Sequence, residues 1–171
     1  MKTFTTISLA VLMLLALSCS SEKPTAPQDD STLNFDIIGN DTPANVDAAL
    51  QELSDLSVFV PDPVHPNDPM LNWEMNTETA LRIINNASLD DPARVNFRRI
   101  LAHLHDQMQV LRRCMASNDD PRLRRLAHGA SQAIQHGLRA LENGQPRIAL
   151  HYFHTANRTL NLANALCRGR G

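Results

Sequence analysis

Beyond residue 90 the apolar side chains return at helical spacing, and no stretch of the chain alternates apolar with polar over the length of a strand. Phe97, Leu101, Leu104, Met108, Leu111 and Met115 follow one another at steps of four and three, which draws one stripe along a helix. Leu123, Leu126, Ala127, Ala130, Ile134, Gly137 and Leu141 draw a second, narrower stripe whose small residues admit a neighbouring backbone. Ile148, Tyr152, Thr155, Thr159, Leu162 and Leu166 draw a third. Thr42-Pro43, Asp91-Pro92 and Asp120-Pro121 each set a capping oxygen before a proline that has no N–H to leave unpaired, and Pro146 follows a glycine suited to end the preceding helix. Together these signals predict helices over 43–59, 92–117, 121–143 and 146–168. A shorter one, capped by Asn76 or Thr77, runs to about Asn86.

The fold class that follows is all-α: an antiparallel up-down helical bundle with tight turns at 118–120 and 144–145, a long Pro-rich loop and an N-terminal tether. Pro61, Pro63, Pro66 and Pro69 keep residues 61–72 out of any helix, and Trp73 is expected to pin the end of that loop to the bundle. Asp62, Asn67 and Asp68 carry cation-ligand oxygens, but their spacing matches no calcium loop, so they read as plain loop.

The N-terminus follows another pattern. Lys2 precedes an apolar run from Ile7 to Leu17, too short to remain as a spanning helix, which ends in Ala16-Leu17-Ser18-Cys19. A cysteine behind a small residue at the end of such a run resembles the lipobox of bacterial lipoproteins, with Ala16 where leucine is usual. The resemblance implies a signal peptide over 1–18, acylation of Cys19 and a membrane held by lipid alone. Ser20, in place of aspartate, implies sorting to the outer membrane of the cell envelope. Residues 19–41 then form the acylated cysteine and a solvated tether, interrupted by Leu33, Phe35, Ile37 and Ile38, which are expected to dock on the domain at 42–171.

Residues 130–156 are similar to a single tetratricopeptide repeat. Gly137, Gly144, Ala149, Phe153 and Ala156 stand at that family's small and aromatic positions, while Ala133, His136 and Ala140 depart from it. The resemblance implies peptide or protein binding. One repeat cannot bury a continuous core by itself, and the residues alone describe an ordinary packed helical hairpin.

Composition narrows the chemistry. The 171 residues suffice for one domain, and 7 aromatic residues with a net charge of -2 argue against a nucleic-acid surface. The small net charge hides an asymmetry: residues 20–92 hold 14 acidic and 2 basic side chains, and residues 93–171 hold 13 arginines and 4 acids. Arg98, Arg99, Arg112, Arg113, Arg122, Arg124 and Arg125 are the densest basic group, a candidate patch for an anionic envelope component or acidic protein. The competing expectation is that the acidic half packs over them.

Acylation of Cys19 leaves Cys114 and Cys167 near the same end of two parallel helices, where a disulfide is expected. No nucleophile, base and orienting acid are arranged for catalysis, so no enzyme and no cofactor is expected. Seven histidines raise an alternative, a small haem- or metal-binding bundle using His103, His151 and His154 with Met108 as a soft ligand, although no H-E-x-x-H, C-x-x-C-H or Glu-x-x-His pair is present. His128 and His136 lie opposite the apolar stripe and read as solvated. The function expected is a lipid-anchored extracytoplasmic helical binding or structural module.

Overall fold

The computed structural model describes residues 33, 35, 36, 39, 41–71 and 76–169. The signal segment, Cys19, Ile37, Ile38 and Trp73 lie outside the described residues. Five helices follow in order, α1 (Val46–Asp55), α2 (Thr77–Asn86), α3 (Asp91–Met115), α4 (Pro121–Glu142) and α5 (Pro146–Arg168), and no strand occurs among the described residues.

Local chemistry explains most of the boundaries. The Asp120 side chain accepts from the Arg122 N–H and Pro121 opens α4, as its sequence requires. In α3 the cap is Asp90, whose carboxylate accepts from the Ala93 N–H, one residue earlier than the Asp91-Pro92 device suggests; Pro92 still fits because the second helical N–H is also without a helical partner. Thr42-Pro43 does not start α1. Asn45 caps it by accepting from the Ala48 N–H, and Pro43 is buried in an extended approach segment.

α1 also ends before residue 59. The Val58 N–H bonds to the Leu53 carbonyl and the Ser57 N–H to that of Ser54, with Ser57 in the left-handed region at φ 59°. This is a Schellman stop built on serine, closed by the apolar pair Leu53 and Val58. The same pair of bonds ends α4, from Gln145 to Ala140 and from Gly144 to Leu141, with Gly144 at φ 69°.

α3, α4 and α5 run up, down and up, which brings Cys114 and Cys167 to disulfide distance with their Cα atoms 6.2 Å apart. α4 is the central element, with α5, α1, α2 and α3 all packed against it. Its buried surface is therefore wider than the sequence stripe and takes in His128, Ser131, Ala133, Leu138 and Ala140. His128 is only 3% exposed, not solvated, because the Pro-rich loop covers the face opposite the stripe. His136 is half-buried and stacks on Tyr152 with ring centroids 5.3 Å apart.

On α5 the expected Thr155, Thr159 and Leu162 are buried, and the buried face extends one position round to Ala149, Phe153, Ala156, Leu160 and Ala163, while Ile148 is 47% exposed. Gly137 makes room for Phe153 on this wider face. Phe153 lies directly on the α4 backbone there, in the space a β-carbon would fill. Phe153 also meets Phe97 edge-on at 6.1 Å, and Phe97 meets Phe35 edge-on at 5.3 Å.

The loop after α1 is irregular, as its prolines demand. Val58 and Val64 are buried in it, and Arg124 donates to the Val64 carbonyl at 3.2 Å. Asp62 faces Arg125 and Asp68 faces His128, so these acids serve contacts to α4.

Candidate functional site

Of the polar residues that converge, the sequence patterns single out His103 alone. Asn157, Asn161 and Asn164 recur on α5 at steps of four and three, so they share one face. That face meets α3 at Gln107. The Gln107 side-chain amide donates to Asn157 Oδ1 at 2.9 Å and Asn161 Oδ1 at 3.0 Å, and it lies 2.7 Å from His103 Nε2. In return Asn164 donates to Gln107 Oε1 at 3.3 Å. Asn157 and Asn164 are both more than nine-tenths buried. Polar groups removed from water at this depth must be paired, and the network does most of that pairing internally. Asn164 Oδ1 is the exception, a buried acceptor with no donor.

The N-terminal segment is seated on this network. Leu33 and Phe35 pack against the core beside Phe97, as expected for docking residues. Further along, Asn157 and Asn161 both donate to the Gly39 carbonyl, at 3.2 and 2.9 Å, and Asn161 donates to the Asp41 carbonyl at 2.9 Å. The Asp41 carboxylate pairs with Arg158, which also holds Glu52 of α1 in a two-pronged contact at 3.1 Å per prong. Burial of the Arg158 guanidinium works against its charge, and Glu52 and Asp41 more than restore it, raising its pKa. Side-chain amides thus hold the strap by the Gly39 and Asp41 carbonyls and one arginine pairs with its acid.

Above the strap the groove between α3 and α5 stays open. A cavity of about 530 Å³ is lined by Thr42, His103, Asp106, Gln107, Asn161 and Asn164 and reaches Arg168. It extends towards the end of the bundle closed by Cys114 and Cys167.

The expected site residues fall in several places. Arg122 pairs with Asp120, Arg124 with Asp119 and Arg125 with Asp62. Asp120, by hydrogen bond and charge, raises the Arg122 pKa. Arg112 and Arg113 are exposed near the same end of the bundle, but Arg98 and Arg99 lie 14 residues back along α3, roughly 21 Å at the helical rise. The seven arginines therefore form no single patch, and three of them hold acids of the turn and loop. Of these three acids Asp62 alone comes from the acidic half, residues 20–92; Asp119 and Asp120 belong to the basic half itself.

Among the histidines, His103 faces the α3–α5 groove, while His151 lines a separate depression with Leu56, Arg147 and Tyr152. His154 lies near Arg158, Asp41, His151 and Glu52. Burial, followed by the Arg158 charge, pushes its pKa below the ordinary imidazole value. Among the described residues no three His, Cys, Asp or Glu side chains converge as a metal site.

No protein-family model, no curated protein and no solved structure matches the chain.

Proposed function

We propose that the chain is a lipid-anchored extracytoplasmic helical module that binds a protein partner at a membrane surface and performs no catalysis. The observation that carries the binding role is the seat of the strap: Asn157 and Asn161 of α5, braced by Gln107 of α3, hold the chain by the Gly39 and Asp41 carbonyls. Buried amides that satisfy a peptide backbone suit recognition, and nothing in their chemistry supplies a nucleophile.

Anchorage rests on the lipobox-like end of the signal segment at Cys19. Among the described residues no helix is long and apolar enough to cross a membrane; the attachment in this reading is the lipid on Cys19. Cys114 and Cys167 at disulfide distance fit an oxidising compartment. Fourteen peptide steps separate Cys19 from Leu33, so the acyl group lies at most about 50 Å from the docked strap. Ser20 directs the anchored chain to the outer membrane.

Metabolic labelling with an alkyne fatty acid tests the anchor. The chain should take up label and fractionate with membranes, and Cys19→Ala should lose both. An unlabelled chain in the soluble fraction would remove the anchor from the proposal.

A further inference from the structure

We propose that the groove between α3 and α5 is a binding site for a peptide segment of a partner protein, and that the strap is the in-chain occupant such a segment replaces. The inference rests on the reading of the chain as a binding module and adds the site and its ligand class.

The strap shows what the groove accepts. Phe35 sets an aromatic ring against Phe97. Four residues later the Gly39 carbonyl receives two amide donors, and two residues beyond that Asp41 meets Arg158 while its carbonyl receives Asn161. An aromatic residue, a glycine four positions on and an acid two positions further make a pattern that any partner segment can carry.

Two features favour a replaceable ligand over a purely structural brace. At Gly39 and Asp41 the strap is held through two backbone carbonyls and one exposed carboxylate, which any chain of this pattern reproduces. The groove also continues where the strap leaves it. After Thr42 the chain turns towards α1 with Pro43 buried, so the strap itself cannot follow the cavity towards Arg168. A segment not joined to α1 can. It would meet Gln107, Asp106 and Arg168, and Asn164, whose buried Oδ1 has no donor, stands in that wall.

The strap is a strong competitor because it is tethered, which gives it a high effective concentration at the groove. Its release should therefore unmask the site. The probe is a fluorescent peptide copying residues 33–45, titrated by anisotropy against the full chain. Two variants weaken the strap by different means: Phe35→Ala removes the aromatic anchor, and Asp41→Arg sets a positive charge against Arg158. Each should bind the probe at least about tenfold more tightly than the unaltered chain. Adding Asn161→Ala to either should lower that affinity by about tenfold, the loss expected for well-placed hydrogen bonds, and a scrambled peptide should not bind.

Helical circular dichroism and a cooperative urea transition like that of the unaltered chain establish that each variant is folded. Folded variants that bind the probe no better than the unaltered chain would overturn the proposal. So would binding that ignores Asn161→Ala, or equal binding of the scrambled peptide. Because the titration needs no membrane, a failure of the anchor shows only in the labelling experiment and a failure of the groove only here.

Discussion

Replacing Gly137 by alanine sets two effects of opposite sign against each other. Alanine in place of glycine within a helix stabilises it by roughly 0.8–1 kcal/mol, through lower backbone entropy in the unfolded chain. The new β-carbon, however, would lie 2.8 Å from Cδ1 and 2.9 Å from Cζ of Phe153, and nearer still to Cε1. Three atoms of one rigid ring are hit together, so no single torsion relieves them. The ring has little room to withdraw, being fully buried and held edge-on by Phe97. Overpacking of a tight core costs about 1–3 kcal/mol, and this site belongs at the upper end of that range. Gly137→Ala should therefore be net destabilising by about 1–2 kcal/mol. Urea unfolding followed by circular dichroism measures it directly. Phe153→Leu in the same chain should reverse the sign of the alanine effect, since the ring that collides is gone. A variant at least as stable as the parent would show that α4 and α5 do not approach as closely as described.

Gly129→Ala should cost less than Gly137→Ala in the same assay, because its new β-carbon meets mainly the end of the Leu53 side chain, which has its own torsions to relax, and Val60 Cγ2 at 3.0 Å. Cys114 and Cys167 stand 53 residues apart, so replacing both by serine should lower stability by about 4 kcal/mol on the loop-entropy model; denatured, unreduced chain should show neither of these thiols free. His154 has a lowered pKa in the folded state, so the unfolded chain takes up the proton first as pH falls. The His154 contribution to stability should be fully present above about 6.5 and be lost progressively below it, and His154→Gln should flatten that part of the pH profile. Elemental analysis and the visible spectrum of the purified chain should show no stoichiometric metal and no Soret band; either one would revive the histidine-bundle alternative.

Helix order and the disulfide partners were legible because they depend on short-range rules. Capping residues, prolines and the spacing of Phe97 through Leu111 act within a few turns, and parallel helices fix which ends meet. The errors at helix ends have local causes, and the errors of burial have distant ones. The stop after α1 is built on Ser57, which carries no glycine signal in the sequence, and Asp90 competes with Asp91 for one cap. The burial of His128 depends on a loop sixty residues away in sequence, which no helical wheel includes. The amide ladder did leave a signal in the spacing of Asn157, Asn161 and Asn164, but asparagines on a helix read as solvated until their facing element is known. Arg158 was invisible for the same reason, since its partners Asp41 and Glu52 lie more than a hundred residues away.

The sequence by itself determined the helical class, the main turns, the uneven distribution of charge and the pairing of Cys114 with Cys167, all through interactions between near neighbours or through topology. The tertiary structure decided how far each buried face extends beyond its stripe, which arginines are spent on the chain's own acids and where the N-terminal strap sits. Those outcomes depend on close approach between distant segments: a phenylalanine ring against a glycine, amides against carbonyls. Such contacts are set by packing in three dimensions, which periodicity along one dimension cannot specify.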